Sequence, residues 1–140
     1  MIGVSLPFKW LIRGDGTLGN VDTALTELWS KNVKSIELRT VRYNHSCDDV
    51  LMVANMLWAK GFTITVHSEA RTLESAIDDI FAPLSELIKH LRQDNLNVTL
   101  HPIVGDNIKL LDLLADHIDE NKYPITLALE NNRLLPDKTE

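Results

Sequence analysis

Hydrophobic and polar positions alternate with a period of two in five short stretches of this chain, residues 2–8, 35–40, 63–68, 97–102 and 125–130. Between them the apolar residues recur at helical spacing. Ala24, Leu25, Leu28 and Trp29 open the series, followed by Val50, Val53, Ala54, Leu57 and Trp58. A third set runs Ala76, Ile77, Ile80, Leu84, Leu87, Ile88 and Leu91, and a fourth Ile108, Leu111, Leu114, Ala115 and Ile118. The pattern predicts four strand–helix units and a fifth strand, with a repeat of about 30 residues, the size of a βαβ unit.

The helix ends carry matching signals. Ser46, with Asp49 three residues on, and Thr72 are expected N-caps, and Gly61 a C-terminal stop. Pro83 has no amide hydrogen, so it should kink the third helix or begin a second one.

Regular alternation of strand and helix implies parallel strands joined by right-handed crossovers, in a doubly wound sheet or a barrel. Strand faces separate the two. Ile64 and Val66 oppose Thr63, Thr65 and His67; Val98 and Leu100 oppose Asn97, Thr99 and His101. Ile36 and Leu38 oppose Ser35, Glu37 and Arg39, and Ile125, Leu127 and Leu129 oppose Thr126, Ala128 and Glu130. A sheet covered by helices on both faces is apolar on both, whereas a barrel has one aliphatic face under helices and a second lining its interior. The expectation is a parallel (β/α) barrel of TIM type, present here as an incomplete barrel in one domain over residues 1–140. The first strand runs on through GVSLPFKW with no glycine-rich phosphate loop, which removes the main support for a nucleotide fold.

In a parallel barrel Glu37, His67, His101 and Glu130 project inward near the carboxyl ends of the strands, the rim where barrel enzymes place their active sites. Imidazole and carboxylate together suit zinc, manganese or a similar ion, with a position open for water or substrate. The plainer alternative makes both histidines satisfied polar groups of a barrel interior. Glu37 and Arg39 either pair with neighbours or take a proton-transfer and a substrate-binding role, and Lys9 is placed to meet a phosphate or a sugar hydroxyl. Glu69 and Arg133 read as loop charges, His45, His90 and His117 as solvated surface, and Cys47 as structural. Asp48, Asp49, Asp78 and Asp79 read as helix-start or solvent-facing charges.

At the strand ends, VHSE, TLHPI and LALENNR resemble the xylose-isomerase-like barrel superfamily, which includes endonuclease IV and many sugar isomerases and epimerases. The resemblance runs from the first strand to the fifth, the N-terminal half of a (β/α)8 barrel. It implies a divalent metal, zinc, manganese or magnesium. In the endonuclease IV branch His67 and His101 would hold one zinc and Glu130 would bridge to a second. In the isomerase and epimerase branch Glu130 would be the first metal ligand and would stand near the proton transfer. A carbohydrate isomerase or epimerase is the leading expectation, a zinc-dependent phosphodiesterase of the endonuclease IV type the next, and an inactive truncated barrel acting through association the third.

Charge and length adjust this picture. A net charge of −6, with Lys9, Arg39 and Arg42 scattered along the sequence, disfavours DNA and anionic membranes as partners and favours a small carbohydrate. A composition 44% hydrophobic and 24% charged fits a soluble globular domain. One cysteine forms no internal disulfide, and no secretory signal or bilayer-length apolar run is present, so the cytoplasm is expected. An eight-stranded barrel takes roughly 200 to 250 residues. The chain is therefore expected to be a fragment or to complete its barrel as a homodimer.

Overall fold

A computed structural model describes residues 2–13 and 20–130. The strands are β1 (Ile2–Pro7), β2 (Val33–Val41), β3 (Thr63–Glu69), β4 (Leu96–His101) and β5 (Ile125–Leu129). Two helices, α1 (Phe8–Arg13) and α2 (Val21–Ser30), follow β1, and α3 (Cys47–Ala59) follows β2. After β3 come α4 (Ala76–Phe81) and α5 (Ser85–Lys89), and α6 (Asn107–Asn121) joins β4 to β5. All five strands are parallel and lie in the order β1-β2-β3-β4-β5, so the fold is α/β with one parallel sheet. Among the described residues β1 and β5 each pair with one strand.

This consecutive order has a consequence for the faces. Right-handed crossovers that always step the same way put every helix on one side of the sheet. Burial follows suit: Ile36, Leu38, Ile64, Val66, Val98 and Leu100 are buried under the helices, among Val53, Leu57, Ile80, Leu87 and Leu114. Each such aliphatic side chain contributes about 1.5–3 kcal/mol when fully removed from water. On the other face Ser5, Glu37, Thr65, His67 and Thr99 keep contact with solvent. The side-chain alternation expected from the sequence is the one observed.

Gly61 ends α3 in a Schellman arrangement. Its φ of 95° is left-handed, its N–H donates to the Trp58 carbonyl, and the Phe62 N–H donates to the Leu57 carbonyl. A Cβ at this position would stand 2.8 Å from the Trp29 ring, so glycine is required on two counts. Ser46 caps α3 by accepting the Asp48 N–H. Thr72 and Ser75 exchange side-chain and backbone hydrogen bonds in the turn before α4. Pro83 lies between α4 and α5 and separates them, which resolves the expected choice in favour of two helices.

Two features depart from expectation. Phe8 leaves the first strand and starts α1, which packs its buried Phe8, Trp10 and Leu11 against the rest of the chain; Lys9 therefore sits on α1 rather than on the strand. Asp79 faces neither solvent nor a helix dipole alone. It is 1% exposed and accepts the Arg71 N–H at 2.7 Å, the Arg71 guanidinium at 2.8 Å and the Ser75 hydroxyl at 2.6 Å. Arg71 in turn lies 3.9 Å from the centre of the Tyr43 ring. The network fixes the loop that leaves β3.

Gln93 does similar service at the opposite end of β3. Its amide accepts the Ile64 N–H and donates to the Ile64 carbonyl, standing in for ladder bonds that β4 begins to make only at Val66.

Burial by itself pushes the Asp79 carboxyl up, but the hydrogen bonds from Arg71 and Ser75 and the Arg71 charge outweigh it and hold the group below its usual 3.8. A depressed folded pKa gives stability that is present in full above the unfolded value and is lost as pH falls toward the folded one. Asp79→Asn is expected to cost about 1–3 kcal/mol at neutral pH. Urea unfolding at several pH values should also show a shallower loss of stability below about pH 4 than in the parent.

Candidate functional site

Parallel register assembles the rim. His67 lies beside Thr99, and Glu69 beside His101. Thr99 in turn lies beside Ala128, and the Glu130 N–H donates to the Leu100 carbonyl at 2.9 Å, which carries the ladder one residue past β5. Glu130 thus reaches the level of His101 on the open face. Strands two apart are roughly 10 Å from each other. The side chains of His67 and Glu130 close that gap across β4, with Nε2 and Oε2 2.6 Å apart.

An ionised carboxylate only accepts, so His67 donates Nε2–H to Glu130. The pair is partly open to solvent, with side-chain exposures of 22% and 25%. Beside it, His101 Nδ1 lies 3.1 Å from the Pro102 carbonyl oxygen. A carbonyl also only accepts, so neutral His101 carries its proton on Nδ1 and presents Nε2 as an acceptor.

The donor types suit a divalent metal, but their arrangement does not. Two ligands at about 2.0–2.1 Å from a tetrahedral zinc stand about 3.3 Å apart. The contact between His67 and Glu130 is shorter and is a direct hydrogen bond. Among the described residues no three His, Cys, Asp or Glu side chains are placed to hold a metal ion. What the rim presents is a hydrogen-bonded imidazole–carboxylate pair with a second imidazole beside it.

Glu37 stands apart from this pair. It is in register with Thr65, one layer below His67 on the open face of the sheet, and lines a separate hollow with Gly3, Ser5 and Ser35. Lys9 and Arg39, by contrast, come together. They line a cavity of about 510 Å³ at the ends of β1 and β2, with Thr40, Arg42, Asn44 and His45. The three cations that look scattered in the sequence share one wall system in the fold.

A β-bulge creates that cavity. Leu38 pairs with Val66 and Val41 with Ser68, so β2 carries an extra residue, and Thr40 takes a φ of 67°. A β-branched residue there is strained by about 1–3 kcal/mol. The buried Ser68 hydroxyl holds the bulge by donating to the Val41 carbonyl at 3.0 Å. Arg42 is tied to Glu69 at 3.2 Å, which makes Glu69 an anchor of the rim rather than a loop charge.

His45 is half-buried, not solvated surface. Its ring packs 4.8 Å from that of Phe8, and its Nδ1 accepts the Arg42 N–H at 2.9 Å. His117 is likewise packed, against Phe81 and Tyr123, while His90 is exposed beside Glu86. Arg133 lies outside the described residues. The RTVRYNH run held a signal for the cavity in its closely spaced basic residues, but the bulge that aims them has no periodic signature.

Burial, then the charges of Arg42 and Lys9, lower the pKa of His45 from 6.5, with Asp49 opposing in part. The unfolded chain therefore takes up this proton first as pH falls. His45 costs no stability above about pH 6.5 and a growing amount below it, down to its folded pKa. His45→Asn, which keeps an acceptor near Nδ1, is expected to flatten stability between pH 7.5 and 5, measured by urea unfolding.

No helix among the described residues is long and apolar enough to cross a membrane. No family model matches the chain, and neither does any curated protein or solved structure compared with it.

Proposed function

We propose that the chain is part of a (β/α) barrel enzyme, of the xylose-isomerase-like kind, that moves a proton between adjacent carbons of a sugar or sugar phosphate. The observation that carries the reading is the 2.6 Å contact of His67 with Glu130 at the carboxyl ends of parallel strands. The consecutive strand order and the polar, open face of the sheet support a barrel as its setting.

In this reading the Glu130 carboxylate takes the proton from the carbon beside a carbonyl, and the electron pair of the broken C–H bond delocalises into an enediolate. The same carboxyl group then returns the proton to the neighbouring carbon, while the hydroxyl proton of the enediolate passes from one oxygen to the other, so that the new carbonyl and the new hydroxyl are both neutral. His67 orients Glu130 by donating to one oxygen, and His101 Nε2 is an acceptor for a substrate hydroxyl. Lys9 and Arg39 hold the far end of the substrate, and Glu37 lies too deep to join the transfer. The barrel is closed by further strands, with a second copy of this chain as one source of them.

Solvent exchange tests the reading. Aldoses, ketoses and their phosphates incubated with the protein in deuterium oxide are expected to gain deuterium at the carbon beside the carbonyl, followed by NMR. Glu130→Gln should slow exchange by about 10²–10⁴-fold and His67→Asn by less. Cleavage of abasic-site DNA in zinc, abolished by His67→Ala with His101→Ala, would replace this reading with a phosphodiesterase one. With neither activity, and no change in melting temperature on adding zinc or manganese, an inactive barrel acting through association is left. A solution mass of one chain would exclude closure by a second copy.

A further inference from the structure

The cavity at the ends of β1 and β2 has a lining of one chemical kind. Its polar groups are the Lys9 ammonium, the Arg39 and Arg42 guanidinium groups, the Thr40 hydroxyl, the Asn44 amide and the His45 ring, and no carboxylate of the described residues lines it. In a chain of net charge −6 this is a local reversal of sign. Arg42 is engaged by Glu69, whereas Lys9 and Arg39 have no ion-pair partner among the described residues. Because His45 Nδ1 accepts the Arg42 N–H, the proton of the neutral ring lies on Nε2, which adds a further donor.

From this geometry we infer that the cavity is a binding site for the anionic group of a small molecule, a phosphomonoester or a carboxylate. Guanidinium groups match both anions through paired N–H donors, and the ammonium adds a point charge. The volume of about 510 Å³ falls within the range of small-molecule sites. Pro7 and Phe8 supply an apolar wall.

The backbone supports a built site rather than a chance hollow. Thr40 holds a left-handed φ of 67° within the bulge, and the buried Ser68 hydroxyl and the Arg42–Glu69 pair keep the surrounding wall in place. Backbone strain of this kind collects at ligand clamps. As a substrate site the cavity rests on the proton-transfer reading, naming the anionic end of that substrate; as an anion site it rests on its own lining.

Calorimetric titration at constant ionic strength tests the inference, with inorganic phosphate, ribose 5-phosphate, ribose and gluconate as probes. Ribose 5-phosphate or gluconate is expected to bind at least tenfold more tightly than ribose, and the tighter of the two identifies the anion. Lys9→Ala with Arg39→Ala should weaken that binding at least tenfold at an unchanged melting temperature, while the exposed Lys109→Ala leaves it unaltered. Equal affinity for ribose and both anions, or affinity untouched by the double substitution, would overturn the anion site. Binding without solvent exchange would sink the proton-transfer reading alone. Exchange at a KM indifferent to Lys9 and Arg39 would sink the anion site alone.

Discussion

Burial of one face of each strand is the constraint on which the rest of this structure depends. Ile36, Leu38, Ile64, Val66, Val98 and Leu100 must all meet helices, and the parallel register keeps them in a single layer. A slip of one residue in any strand would turn its aliphatic set outward and its polar set into the core. The same periodicity therefore decides that Thr65, His67, Thr99 and Ala128 share the opposite face. The rim chemistry is a by-product of packing on the other side of the sheet.

How much of this was legible in the sequence depends on whether a feature is periodic. The five strands and their two faces were, because alternation is a local property of the chain. So was the end of α3, where only glycine takes the left-handed position against Trp29. Gln93 was not: it joins Ile64, 29 residues away, through its side-chain amide, and no spacing announces such a contact. Asp79 was hidden for a related reason. Its place in the first turn of α4 invites a dipole explanation, and only the return of the chain through Arg71 buries and pairs it.

The cationic cavity shows the limit most clearly. A strict period of two carries Arg39 inward with Glu37 and makes Thr40 an ordinary outward residue. The bulge breaks that count, and Arg39 lines a different hollow from Glu37. Lys9 arrives there because Phe8 ends β1 and turns into α1, burying its own ring. Two local irregularities, at Phe8 and Thr40, thus bring Lys9 together with Arg39 and Arg42, from which sequence distance separates it.

Magnitudes distinguish the two acidic residues that matter most. Asp79 is almost completely buried, and removing a buried partner from a satisfied network leaves an uncompensated polar group, a large effect on a domain whose total stability is about 5–15 kcal/mol. Glu130 and His67 are each about a quarter exposed, and partly solvated ion pairs of this sort contribute on the order of 0–1 kcal/mol. The fold does not need the rim pair as it needs Asp79. Substitutions at Glu130 and His67 therefore test the proposed chemistry with little disturbance of folding, whereas a loss of any activity on changing Asp79 would say nothing about the proposed reaction.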